Sequence, residues 1–238
     1  MAAVSVTDVI SQLPSISVVR DRCLAMAALD AIMSPEWGDR YFSFDANWSA
    51  TDQMASMRDG SGNEYSILFT PDGVWARGFD HESALTPFRS TPFALWPGLL
   101  DGLPEVFRAQ ASEPAFCDPT GVVLQATVCF WREREATGWV VGAPADLPTG
   151  AADDGGAAWL FDVLLSGATG YRDFAQTYYE TELDCETVSD VYDLHPVSAE
   201  VVARLNPSID LADVVDELRG MGYPVVPPEF ATPPTLRQ

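Results

Sequence analysis

Two histidines, four cysteines, a crowded run of carboxylates and no lysine define the chemistry open to this chain of 238 residues. All thirteen cations are arginine, so reactions that need an amine side chain are excluded, among them phosphate-loop, kinase-type and Schiff-base lysine chemistry. His81 lies in Gly78-Phe79-Asp80-His81-Glu82-Ser83, where an acid, an imidazole and a hydroxyl follow one another at the end of an expected strand. A general base for hydrolase-like chemistry could be assembled from Asp80, His81, Glu82 and Ser83. Neighbours on a strand point to opposite faces, however, and that works against a triad. His81-Glu82 also opens like His-Glu-x-x-His, but position 85 is leucine and the second metal ligand is missing. His195, beside Pro196 and just ahead of a helix, reads as a turn residue.

The cysteines Cys23, Cys117, Cys129 and Cys185 contain no Cys-x-x-Cys pair and read as scattered reduced thiols. Cys129, between Val128 and Phe130, is expected to be a small buried hydrophobe. No Gly-x-Ser-x-Gly elbow is present, and Gly60-Ser61-Gly62 lacks the third glycine of a dinucleotide loop. The sequence therefore nominates no catalytic residue, no metal site and no cofactor.

Carboxylates are the dominant local feature. Glu180, Glu182, Asp184, Glu186, Asp190 and Asp193 place six acids in fourteen residues with no cation between them. An extended segment would project the first four from one face; a helix would stack Glu182, Glu186, Asp190 and Asp193 along one side. The spacing at 180, 182, 184 and 186 imitates the start of a calcium loop, but Cys185 stands where glycine is needed and position 191 is valine, which rejects it. With Asp153 and Asp154, these acids form the expected partner-binding set. From 153 to 193 there are ten acids and one arginine, a net charge of −9, against −22 for the whole chain.

The elements that must carry these residues are legible as periodicities. A helix is expected over 18–33, capped by Ser15 or Ser17 and stopped by Pro35. From Tyr41 the period becomes two, predicting strands at 41–48, 53–58, 65–70 and 74–79, with turns at Asp59-Gly60-Ser61-Gly62-Asn63 and Pro71-Asp72-Gly73. A proline-rich loop region and a short helix near 104–111 precede further strands at 122–131 and 137–142, where Trp131 and Trp139 are the expected cross-strand pair. The small-residue stretch 143–156 reads as a possible internal linker. Beyond it come helices at 157–165, 171–178, 198–205 and 211–221, and a proline-rich extended tail at 224–238. The expectation is a single α+β domain over 1–223: one antiparallel meander of about six strands, an N-terminal helix and a helical C-terminal part.

With 47% hydrophobic residues the chain can bury a core, so its acidity belongs to a folded surface. That surface repels nucleic acid and anionic lipid and favours a basic protein partner. No basic residue precedes Arg20, and Asp8 interrupts the first apolar stretch, unlike a secretory signal; a cytoplasmic protein is expected. In its N-terminal helix, its Trp-rich meander through Gly78–Ser83 and its acidic C-terminal part, the chain resembles immunity proteins of bacterial polymorphic-toxin systems. The resemblance implies a toxin inhibitor that acts by binding a cognate toxin domain. The alternatives from other classes are a small hydrolase using Asp80 and His81, and an acidic mimic of nucleic acid.

Overall fold

Six strands pair in chain order, each antiparallel to the next: β1 (Phe42–Asp45), β2 (Gln53–Arg58), β3 (Glu64–Thr70), β4 (Gly73–Phe79), β5 (Val128–Glu133) and β6 (Val140–Val141). The computed structural model describes residues 5–145, 147 and 154–226. Local turn chemistry sets the first hairpins. The Asp59 carboxylate accepts the amides of Ser61 and Asn63 at 2.7 and 3.0 Å and so closes the β2–β3 turn. Gly73 has φ +140°, and a Cβ there would stand 2.2 Å from the Arg132 carbonyl of β5, so the β3–β4 corner has room only for glycine.

The α+β meander is as expected, with three corrections at its margins. β1 ends at Asp45, well short of 48. β5 starts at Val128, because residues 122 and 123 give their amides to the Asp118 carboxylate at 3.1 and 2.9 Å and are drawn into a turn. Trp131 does not face Trp139: the register sets it opposite Trp75 on β4 and Val140 on β6. Trp139 instead lies edge-on to Phe130 at 5.7 Å and donates its indole N–H to the Pro14 carbonyl at 2.7 Å.

Both faces of the sheet are covered. Phe42, Met57, Tyr65, Ile67, Val74 and Phe130 point to one side, where they meet the helices. Leu68, Trp75, Cys129 and Trp131 point to the other and pack on Phe107, Phe116, Leu124 and Ala126 of the irregular segment between β4 and β5. Every residue of β4 is buried, so it reads as a continuous apolar run with one guest, Arg77. Arg77 pairs with Glu64 at 2.5 Å, donates to the Gln125 carbonyl at 2.7 Å and lies over the Phe116 ring.

The helices are α1 (Val6–Ile10), α2 (Ile16–Met33), α3 (Arg108–Ala111), α4 (Ala157–Leu160), α5 (Asp162–Tyr178), α6 (Cys185–Tyr192), α7 (Ala199–Leu205) and α8 (Leu211–Gly220). Ser15, Ser198 and Asp210 cap α2, α7 and α8. α1 and α6 are additions to the expected set. The predicted pair at 157–165 and 171–178 appears as α4 and α5, with a break at Phe161 and a kink at Gly167, whose φ +63° and ψ −147° are non-helical. Arg22 of α2 donates to the Leu164 and Leu165 carbonyls beside that kink, at 2.8 and 2.9 Å. The apolar sides of α4–α8 join the same core as α2, and Val225 forms a parallel bridge with Val197; residues 146 and 148–153 of the expected linker and 227–238 of the expected tail lie outside the described residues.

Ten consecutive residues of α2, Cys23 to Ile32, are buried, and one of them is Asp30. Its Oδ2 accepts the amides of Tyr41 and Phe42 at 2.9 and 2.7 Å, and its Oδ1 accepts the Tyr171 hydroxyl at 2.6 Å. Burial pushes this carboxyl up to about 6 against the opposing effect of those donors. The native state thus holds the proton more tightly than the unfolded chain, whose carboxyl titrates near 3.8. The resulting stability is complete below about pH 4 and lost as pH rises through about 6. Urea unfolding of wild type and Asp30→Asn should therefore show the difference shifting toward the variant by about 3 kcal/mol between pH 4 and pH 7. A pH-independent difference would refute the burial argument.

Candidate functional site

The acidic run is neither a strand nor one helical stripe. The chain leaves α5 at Tyr178, passes through Glu180 with φ +52°, and re-enters helix only at Cys185, so Glu180 and Glu182 share no helix face with Glu186 and Asp190. Asp184 caps α6: it accepts the Thr187 hydroxyl at 2.7 Å and the Thr187 amide at 3.0 Å, and Arg204 from α7 pairs with it at 2.5 Å. Those bonds hold its carboxyl below the ordinary range. Asp190 faces the His195 ring at 3.3 Å, and Asp193 ends α6. The expectation of six uncompensated acids is thus corrected, because two have partners from elsewhere in the sequence. Glu180, Glu182 and Glu186 are exposed, and among the described residues no hydrogen bond or ion pair engages their carboxylates.

Asp154 belongs to a different surface, and Asp153 lies outside the described residues. The Asp154 carboxylate accepts the amides of Gly156 and Ala158 at 3.0 and 2.7 Å and starts α4. Two residues on, Gly156 (φ +84°) touches Asp80 so closely that a Cβ would stand 2.6 Å from the Asp80 Cβ. Trp159 donates its indole N–H to Asp80 Oδ2 at 3.1 Å. The Thr127 hydroxyl fastens the pair by accepting from the Asp80 amide at 3.0 Å and donating to the Gly155 carbonyl at 2.6 Å. The predicted partner-binding acids therefore divide between the start of α4 and the segment that follows α5, which is kinked at Gly167. One of them joins the segment Asp80–Ser83 instead.

Within that segment the side chains diverge. Asp80 Oδ1 accepts the Glu82 amide at 2.9 Å and closes a turn, while Oδ2 serves Trp159. Ser83 is buried and its hydroxyl accepts the Leu85 amide at 3.0 Å. His81 turns to Asn63: its backbone amide and its Nδ1 both lie on Asn63 Oδ1, at 2.9 and 2.7 Å, and Asn63 Nδ2 donates to Asp59 at 2.6 Å. Acid, imidazole and hydroxyl are thus each committed to a separate partner, and the acid nearest to orienting His81 is Asp59 of the hairpin, acting through Asn63.

The surface also holds aromatics that periodicity did not single out. Phe88 and Phe93, in the proline-rich connection, are exposed and meet edge to face at 5.1 Å; Phe88 in turn meets buried Phe79 at 5.8 Å. Trp37 is exposed beside Arg58, whose guanidinium lies 5.4 Å from its ring, at a cleft of about 440 Å³ shared with Ser43, Met54 and Glu217. The available signal was negative: these rings fit neither a period of two nor one of 3.6. Among the described residues, no three His, Cys, Asp or Glu side chains converge as metal ligands, and no helix is long and apolar enough to cross a membrane.

Because Asn63 Nδ2 is committed to the Asp59 carboxylate, Asn63 Oδ1 can only accept, and neutral His81 must carry its proton on Nδ1. Nitrogen-detected NMR above pH 8 should show the Nδ1–H tautomer in wild type and a return to the usual Nε2–H majority in Asn63→Ala. An Nε2–H majority in wild type would contradict the geometry. In comparisons with protein-family models, with curated proteins and with solved structures, nothing matches this chain.

Proposed function

We propose that this chain is an acidic binding protein that recognises a basic protein domain and covers it, as an immunity protein neutralises its cognate toxin domain in the cytoplasm. The observation that carries the reading is the outward, unneutralised set Glu180, Glu182 and Glu186 in a chain of net charge −22. Summed over the acidic surface, the field raises the rate of encounter with a positive partner and disfavours polyanions.

The test reads the open reading frame immediately upstream of this chain's own and uses its product, purified, where that product carries a basic domain; a neighbour without one removes the cognate partner the reading requires. The triple variant E180Q/E182Q/E186Q leaves the Asp184 cap and its Arg204 pair in place, so its thermal stability should match wild type. Its association should be several-fold slower at low salt and equal to wild type at high salt, with dissociation nearly unchanged. Identical association at every ionic strength would reduce these acids to a solvated face.

A further inference from the structure

We infer that the hollow walled by Trp37, Tyr178 and Arg58 is a binding site for a small aromatic monocarboxylate, with the ring of the ligand against Trp37 and its carboxylate on the Arg58 guanidinium. The site is independent of any basic protein partner and of the glutamates that would steer one.

Sheet register brings the polar groups together. Ser43 of β1 lies directly across from Ser56 of β2, and their hydroxyls are 2.6 Å apart. Arg58 stands two residues beyond Ser56 and so on the same face of the sheet, opposite to the face of Phe42 and Met57 that meets the helices. Trp37 comes from the short helical turn Trp37–Asp39 after α2, and Tyr178 at the end of α5 steadies that turn by donating its hydroxyl to the Asp39 carbonyl at 3.3 Å. Trp37, Ser43 and Arg58 line two adjoining hollows: one of about 140 Å³ that reaches Tyr178 and Arg40, and the open cleft of about 440 Å³ that reaches Met54 and Glu217.

The two arginines of the smaller hollow differ in the donors they have left. Arg40 has a side chain only 6% exposed and commits every nitrogen: Nε to the Ser34 carbonyl at 2.7 Å, Nη2 to the Pro35 carbonyl at 3.1 Å and to Glu217 at 3.0 Å, and Nη1 to Glu217. Arg58 is exposed, and among the described residues no hydrogen bond or ion pair engages its guanidinium. Its contact with the Trp37 ring, at 5.4 Å, uses the flat face of the group and leaves the in-plane N–H donors free. In the Ser43–Ser56 pair one hydroxyl donates to the other, so one O–H also remains without an acceptor.

Those donors and rings select the ligand. A planar carboxylate accepts two parallel hydrogen bonds from a guanidinium edge, a match that a neutral hydroxyl or an ammonium lacks. A cavity of about 150 Å³ holds a benzene ring, and the smaller hollow, at about 140 Å³, is of that size. Trp37 is 58% exposed, so much of its ring remains for a ligand to cover. Charge sets the limit on the other side. Asp45 and Glu217 border the larger cleft and the chain carries −22, so a second negative charge on the ligand would be repelled. One ring with one carboxylate suits both the free cation and its acidic surroundings.

Titration of the full chain with benzoate, followed in two-dimensional NMR through the indole and guanidinium N–H resonances, tests this. Benzoate should bind saturably and shift the Trp37 indole and the Arg58 side chain. Benzamide keeps the ring without the charge and acetate keeps the charge without the ring; each should bind at least tenfold more weakly. Arg58→Gln and Trp37→Leu should each lose at least tenfold in affinity for benzoate, while Arg134→Gln, in the turn between β5 and β6, should bind as wild type does. The Arg58 guanidinium closes no hydrogen bond within the fold, so Arg58→Gln should melt with wild type, and the benzamide and acetate arms decide the matter on the wild-type chain should a variant fail to fold. No saturable change with benzoate, equal affinity for benzoate and benzamide, or unaltered affinity in Arg58→Gln would each overturn the site. Shifts spread over the other arginines would mean general attraction of an anion and overturn it as well.

Discussion

One carboxylate holds the helical layer to the sheet. Asp30 sits among apolar residues of α2 and accepts two consecutive amides at the head of β1 and the hydroxyl of Tyr171 from α5. β1 is a four-residue edge strand, and its leading amides would otherwise be buried without partners or exposed as a template for a foreign strand. Ionised, this group contributes no net stability, because its desolvation outweighs what the three donors return. What it contributes is position: α2, β1 and α5 can come together with all three donors satisfied in one arrangement. The aromatic cluster of Tyr41, Phe42, Tyr171 and Phe174 then packs around that arrangement.

The opposite face of the sheet is secured by a different device. The segment between β4 and β5 has little regular structure, and it stays in place because Trp75, Trp131, Phe107 and Phe116 form a second core beneath it. Arg77 ties that core together, with its charge matched by Glu64 and its plane set on Phe116. Loops anchored in this way can present exposed side chains without collapsing onto them, which is how rigid scaffolds usually carry binding residues. Phe88 and Phe93 are displayed from such a loop.

The acidity of the chain is distributed in two ways. Some carboxylates are consumed by local structure: Asp59 in a hairpin, Asp118 in a turn, Asp154 and Asp184 at helix starts. Others remain outward, and these set the field that a partner meets. This division explains why a count of acids along the chain overstates the charge presented by any one segment. Asp184 in particular is both capped into α6 and paired with Arg204, so it serves architecture more than encounter.

The hairpins at 59–63 and 71–73 and the caps at Ser15, Ser198 and Asp210 were legible in the amino-acid order because each depends on groups within a few residues of one another. So was the alternation that made a six-stranded meander the expected sheet. The helix α1 was missed because five residues carry too few turns for a 3.6 period to stand out, and α6 stood only as one of two readings because the acids obscured the helical spacing of its buried Thr187, Val188 and Val191. Of the candidate site residues, the sequence alone located the carboxylates and the single exposed imidazole of the Asp80–Ser83 segment. Only the tertiary structure decided that Asp154 lies with Asp80 and Trp159, that Arg204 answers Asp184, that Trp75 and not Trp139 faces Trp131, and that Asn63 directs His81. Each of those contacts is closed by the register of the sheet or by a helix returning across it, and register is set by the burial of whole faces at once, a property that no local stretch of sequence contains.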